Sequence, residues 1–378
     1  MIMQCRPLME VLSEVPDVRH ARGKRYPLAA VLGLACAAIL CGYRSYGAIA
    51  EWGRNYGKHL TKALGFRRMK TPCAATLHAV FRSLDIQQLE TKLGAWAQSV
   101  VATLSGDDEL IVIAVDGKTL RGSAKQGSQE AHLLSAVSQG LGITLAQCAV
   151  DDKANEISAM PALLEQLLLH GRVVTVDALH TQRRTAETIL ACGADYLMPV
   201  KGNQPQLLED IQTLFDRPQG LADTMTASCS FDLGHGRYEY RRLTASTALV
   251  GYSDWPGLQQ VFCLERLICV RKTGEQRVER VYGVTSLSPQ RATAEDLLRM
   301  TREHWHVENK SHWVRDVTFD EDRSQVRRGH IPEVMAALRN TAIGLMRAAG
   351  YHSTAATCRL FAAQPHKALA LLGAYADN

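Results

Sequence analysis

The chain has 378 residues, 46% of them hydrophobic, with a formal net charge of +5 and a pI near 8.6. That length and apolar content support at least one full core, are compatible with two or three domains, and argue against an intrinsically disordered chain. The mild positive balance suits a polyanionic partner without demanding one. Ten cysteines with no CxxC pair argue against a disulfide framework or a zinc cluster, and fit reduced thiols in a cytoplasmic protein.

Residues 1–104 read as helical. Apolar residues recur at helical spacing through 27–41, again through 48–65, and again from Leu84 to Val101. The run from Tyr26 to Tyr43 carries only apolar and small residues and follows the RGKR of 22–25. Its Ala, Gly and Cys content, its polar lead and the lack of a second such run predict a buried helix and no membrane span. Arg19, Arg22, Lys24, Arg25, Arg44, Arg54, Lys58, Lys62, Arg67, Arg68 and Lys70 outnumber the acids before residue 84. Singly these are solvated surface charges; as a group they suit a helical domain that contacts DNA phosphates.

A turn is expected at 105–108, and strands follow: LIVIAVD (110–116), HLLSAVS (132–138) and ITLAQCAV (143–150). A helix over 158–168 comes next, with Ser158 as its N-cap and Pro161 in its first turn. A strand (173–177), a helix (181–191), a strand (196–200) and a helix (203–215) complete a β-β-β-α-β-α-β-α order. Alternating segments over about 220–290 predict an antiparallel insertion, and helices are expected over 292–314 and 331–349. The domains expected are 1–104, helical, and 105–378, catalytic, with the insertion and the C-terminal helices inside the second.

Three acids stand out: Asp116 and Asp177, each expected to close a hydrophobic strand, and Glu308 on the helix after the insertion. Carboxylates at neighbouring strand ends suit divalent cations, and a pair of such ions can clamp the attacking and leaving oxygens of a phosphate ester. An Asp after a strand is also an ordinary turn former or N-cap. At 100° per residue His304, Glu308, His312 and Arg315 fall on one helix face, placing basic groups around the acid. The same pattern suits a merely solvated face with i,i+4 pairs. A zinc hydrolase using the two histidines lacks its HExxH motif. Lys201, Asn203 and Gln204, on a turn leading into a helix, are candidates for holding a phosphate; Lys118, His180, Thr181 and Gln182 are second-tier substrate contacts.

VRHARGKRYPLAAVLGLACAAILCGYRSYGAIAEWGR, VDGKTLRGS, VDALHTQ, DYLMPVKGNQP and HWHVENKSHWVRDVTFDED follow one another across nearly the full length. In these motifs and their order the chain resembles the DDE transposases of bacterial insertion sequences, and within them the H-repeat-associated group. The resemblance implies an RNase H-like mixed sheet, Mg²⁺ with Mn²⁺ as a substitute, and Asp116, Asp177 and Glu308 as the acidic triad and metal ligands. It also implies a β insertion between the second and third acids. Related hairpin-forming transposases carry Tyr, Arg and Lys where this chain has Thr301, His304 and Arg315, so basic character is kept in part and the Tyr is not.

The expected activity is cleavage at the ends of a mobile element followed by transfer of the freed 3′-hydroxyl into target DNA. The expected partners are double-stranded DNA, as terminal inverted repeats and target, and a second copy of the chain bound with it. Two other readings stay open: a catalytically inactive protein that binds terminal repeats, and an RNase H-like nuclease without strand transfer.

Overall fold

The computed structural model describes all residues except 1–4, 107–108, 124–129, 151–155, 219–221, 235, 306 and 375–378. The turn expected at 105–108 therefore lies partly outside the described residues. The chain forms two compact units, one of residues 1–109, 117–159 and 307–378, the other of 110–116 and 160–306.

In the first unit, helices α1 (Leu8–Ser13), α2 (Leu28–Leu40), α3 (Tyr46–Asn55), α4 (Gly57–Ala63), α5 (Ala74–Ser83) and α6 (Ile86–Leu104) precede the first strand. Almost every residue of α2 is buried, and it packs on α1, on α3 and on the later helices α11 (Ile331–Ala348), α12 (Thr354–Ala363) and α13 (Pro365–Leu372). Ala21–Leu40 passes a length and composition test for a membrane span. The helix itself has 13 residues, about 20 Å, which falls short of a hydrocarbon core. The helical spacing noted over 48–65 is divided between α3 and α4, because Gly57 sits at φ +62, a left-handed conformation that breaks the helical run. The acceptor on the Asp85 side chain takes the Gln88 N–H and starts α6.

Strands β1 (Val112–Leu120), β2 (Ala131–Ser138), β3 (Thr144–Val150), β4 (Val173–Thr175), β5 (Asp195–Val200), β6 (Met225–Gly234), β7 (Arg237–Ser246), β8 (Gln260–Val270) and β9 (Gln276–Thr285) form a mixed sheet of order β3-β2-β1-β4-β5-β9-β8-β7-β6. β2 and β3 are antiparallel, β1, β4 and β5 are parallel, and β5 through β6 are antiparallel. The apolar runs of β1, β4 and β5 are buried throughout, as parallel strands are. The insertion expected over 220–290 is antiparallel, and β9 pairs with β5, so it prolongs the sheet.

Three expectations are corrected. β1 runs on to Leu120, so Asp116 lies within the strand, and β4 stops at Thr175, two residues before Asp177. Helix α7 (Glu156–Leu164) begins before Ser158, which places Pro161 inside it. The helix expected over 292–314 ends at His304 as α10 (Ala294–His304), opened by a capping box of Thr293 and Asp296. Residues 307–312 and 314–318 are π-helical. The wider turn changes which positions share a face: Val307 and His312, five apart, are both buried while Glu308 is exposed. A wheel drawn at 100° therefore does not describe 308–315.

Candidate active site

In the second unit, β1 and β4 are in register as Val112↔Val173, Ile113↔Val174 and Ala114↔Thr175. Continuing that register carries Asp116 to the level of Asp177. Alternation along each strand puts Asp116 on the face of Ala114, and Asp177, still extended at φ −80 and ψ 174, on the face of Thr175. Asp116, half-buried within β1, and Asp177, half-buried two residues beyond the end of β4, thus fall at the same level of that extrapolated register.

The segment after Asp177 is held from several directions. The Asp177 side chain accepts the His180 backbone N–H at 3.2 Å, capping a single turn over Ala178–His180. Thr181 Oγ1 donates to Pro199 O at 2.6 Å, at the end of β5. Asn203 Nδ2 donates to Ala178 O (2.8 Å) and Thr181 O (3.2 Å), and Gln204 Nε2 to Thr181 O (3.0 Å). The two amides proposed from sequence as phosphate contacts are engaged in fixing this loop, while Lys201 is exposed beside them. Pro205 opens α9 (Pro205–Asp216) directly after the turn, where its missing N–H costs nothing.

His304 Nδ1 lies 2.8 Å from Thr175 Oγ1. Burial pushes its pKa down to about 4; the Asp177 carboxylate opposes the shift and His180 adds to it. The ring is neutral at pH 7, so it offers hydrogen bonding and no charge. His180 is itself buried.

In the first unit, Lys118 is buried and its ammonium is chelated by Asp316, at 2.7 Å from Oδ1 and 2.6 Å from Oδ2, with Asp322 at 3.9 Å. Arg315 is fully buried; its Nε lies 2.7 Å from Glu321 Oε2, and Arg339 Nη1 lies 2.8 Å from Glu321 Oε1. Burial raises the Glu321 carboxyl, and the charges of Arg315 and Arg339 outweigh it, holding the group below its usual range. His312 is buried and pushed down to about 3, by desolvation first and then by Arg315 and Lys118. Glu308 stands exposed on the π-helical segment.

Sequence reasoning singled out neither Thr175 nor the acids Asp316, Glu321 and Asp322, although VRDVTFDED carried the signal in its four acids and one arginine. It also passed over a buried chain on β1 and β2, in which Thr119 Oγ1 meets His132 Nδ1 at 2.9 Å and His132 Nε2 meets Glu156 at 2.6 Å. That chain explains the glycine of VDGK. A Cβ at Gly117 would lie 2.8 Å from both Glu156 carboxylate oxygens and from His132 Nε2.

Residues 107–345 match the family of the transposase DDE domain, and residues 9–97 match a family described as DDE_Tnp_1-associated. The chain belongs to the transposase DDE family. Among its relatives is the "H repeat-associated putative transposase YhhI" of Escherichia coli strain K12, 30% identical over 353 residues, 91% of each chain. The "Putative transposase YncI" of Escherichia coli O157:H7 is 30% identical over 356 residues, 91% of this chain and 88% of that one. A solved piggyBac transposase synaptic complex with hairpin DNA superposes with a TM-score of 0.44 at 9% identity, over 96% of this chain and 76% of that one.

DDE transposases as a family use divalent metal, and the residues present are compatible with it. Asp116 and Asp177 supply hard oxygen donors from adjacent strands. No group of three or more His, Cys, Asp or Glu side chains that could hold a metal ion occurs among the described residues. Mg²⁺ is commonly held by one or two carboxylates with water and phosphate oxygens completing its shell, which matches a two-carboxylate donor set.

Proposed function

We propose that this DDE transposase cleaves double-stranded DNA at the ends of an insertion sequence and joins the freed 3′-hydroxyl to target DNA. Asp116, Asp177 and Glu308 form its acidic triad in this reading. The observation that supports it is the β1–β4 register, paired as far as Ala114↔Thr175, whose continuation by two residues on each side levels Asp116 with Asp177. Strand order β3-β2-β1-β4-β5, with β2 and β3 antiparallel and the three central strands parallel, supports an RNase H-like core in which Asp116 and Asp177 stand at the level where β4 has ended. Residues 1–104 serve as a helical DNA-contacting domain and 105–378 as the catalytic domain.

Asp116 and Asp177 would hold Mg²⁺, which would supply Lewis-acid stabilisation of charge on the phosphate oxygens. The chain's own part is positioning. Thr181, Asn203 and Gln204 fix the backbone that follows Asp177, so its carboxylate needs little reorganisation when DNA arrives. The neutral His304, oriented by Thr175, sits beside Asp177 as a hydrogen-bonding group. Cleavage and strand transfer are both in-line displacements at a phosphodiester and differ only in whether water or a deoxyribose hydroxyl attacks. One site therefore serves both steps. Two copies of the chain acting on two element ends complete the reading.

The test is strand cleavage of duplexes carrying the repeats that flank the gene, with Mg²⁺ or Mn²⁺, comparing the wild type with Asp177→Ala. Cuts leaving 3′-hydroxyls that disappear in the variant are expected. Specific binding without cutting in the wild type would instead support the catalytically inactive DNA-binding protein. Cutting without joining would support a nuclease lacking strand transfer.

A further inference from the structure

The outer part of the β insertion has two unlike faces. Side chains directly across antiparallel strands share a face, and one rung reads Phe231↔Tyr240↔Leu267↔Val278 over β6, β7, β8 and β9. The next rung on that face is Leu233↔Tyr238↔Cys269↔Gln276. Phe231 (64% exposed), Leu233 (60%), Tyr238 (40%), Tyr240 (40%), Leu267 (39%) and Val278 (65%) all lie open on it. The intervening rungs face the other way, into an ion network in which Arg241 and Arg266 pair with the buried Glu239, and Arg302 of α10 reaches Asp232 at 2.7 Å. Nearer the core that inner face closes through Leu243, Ala245, Phe262 and Leu264 against Leu297 and Met300 of α10. The inner face is covered; the outer one presents a contiguous apolar patch of a kind that marks a binding surface.

The chemistry of the patch indicates what covers it. Phe231 and Tyr238 stack with ring centroids 6.0 Å apart and 28° between planes. The Arg271 guanidinium lies 5.7 Å from the Tyr238 centroid. The third rung of this face, Cys229↔Arg242↔Glu265↔Arg280, brings two more arginines and one acid, and that acid is already paired with Arg280 at 2.9 Å. The positive edge of this aromatic surface favours an anionic partner over a second copy that carries the same positive edge. The surface is ill-matched to duplex DNA, whose base faces are hidden. It fits a polyanion with exposed base faces.

We propose that this outer face of β6–β9 binds single-stranded DNA, its bases stacking on Phe231, Tyr238 and Tyr240 while Arg242 and Arg271 meet the backbone phosphates. The proposal rests on the DNA-cleaving reading only for the source of the strand, which is DNA opened at a cut end. Binding itself requires neither metal nor the acidic triad.

The experiment measures fluorescence anisotropy of the full chain with a labelled single-stranded oligothymidylate and with a labelled duplex of mixed sequence, without divalent metal. Phe231→Ala and Tyr240→Ala are each expected to weaken single-strand binding about fivefold to a hundredfold. Tyr240→Phe is expected to keep it, and duplex binding to change less than twofold. Omitting divalent metal keeps cleavage out of the measurement, which separates failure of this proposal from failure of the triad. Because the substituted side chains are exposed, unchanged thermal melting checks that each variant is folded. Single-strand affinity unaffected by the aromatic substitutions would overturn the proposal, as would an equal loss on the duplex. Concentration-dependent dimerisation abolished by Leu267→Glu, with no single-strand binding, would also overturn it and assign the face to self-association.

Discussion

Lys118 Nζ lies 2.7 and 2.6 Å from the two carboxylate oxygens of Asp316, so the lysine of the VDGK motif is bound to the first acid of the DVTFDED motif. The ammonium is buried, and the carboxylate is about a third exposed. Removing Asp316 leaves a buried charge with its best partner gone. Asp316→Ala is expected to cost about 2–3 kcal/mol, discounted from the value for a fully enclosed pair because solvent reaches the carboxylate. Urea denaturation measures it, and adding Lys118→Met should recover much of the loss. A single variant as stable as the wild type would show that Asp322 and solvent suffice for Lys118.

The Glu321 carboxylate between Arg315 and Arg339 is more deeply enclosed, with all three side chains 2% exposed or less. Glu321→Gln is expected to destabilise the fold by about 3–5 kcal/mol, since two guanidiniums then share a buried site without a counter-charge. Chemical denaturation reads this directly. A change below 1 kcal/mol would mean that water reaches the cluster.

Asn203 fixes the loop after Asp177 through Ala178 O and Thr181 O. Asn203→Ala is expected to lower stability by about 1 kcal/mol. Its larger effect is expected on turnover of DNA cleavage, about tenfold, with little change in the DNA concentration needed for half-maximal rate, because positioning and not binding is lost. Equal changes in both quantities would assign Asn203 to DNA contact after all.

Glu90 on α6 is pushed up to about 8 by desolvation, against a hydrogen bond from Gln147 Nε2 at 2.8 Å. The native state therefore keeps a proton that the unfolded state releases near pH 4.5, and the stability this contributes is present at low pH and lost as pH rises towards 8. Glu90→Gln removes the titration and keeps an acceptor for Gln147. It is expected to match the wild type at pH 4 and to exceed it at pH 8 by roughly 2 kcal/mol, a figure reduced because the side chain is only half-buried. Thermal melting across pH 4–9 checks this; parallel curves for the two proteins would rule it out.

The amino-acid sequence by itself determined the order of elements from β1 to α9, because period-2 and period-3.6 apolar patterns are local and need no partner. It also marked Asp116 and Asp177 by their place at the end of apolar runs. What only the tertiary structure decided was everything that depends on a partner far along the chain. The β1–β4 register, the pairing of β9 with β5, and the capture of Lys118 by Asp316 all join segments whose sequences carry no mark of one another. The same holds for Arg315, which reads as an exposed basic residue until burial beside Glu321 gives it a structural counter-charge. Charged side chains have no fixed environment in sequence; desolvation and the nearest opposite charge set their roles, and both are properties of packing. The π-helical turns around Glu308 belong with them, since that extra residue per turn is selected by what Val307 and His312 bury and not by the local apolar period.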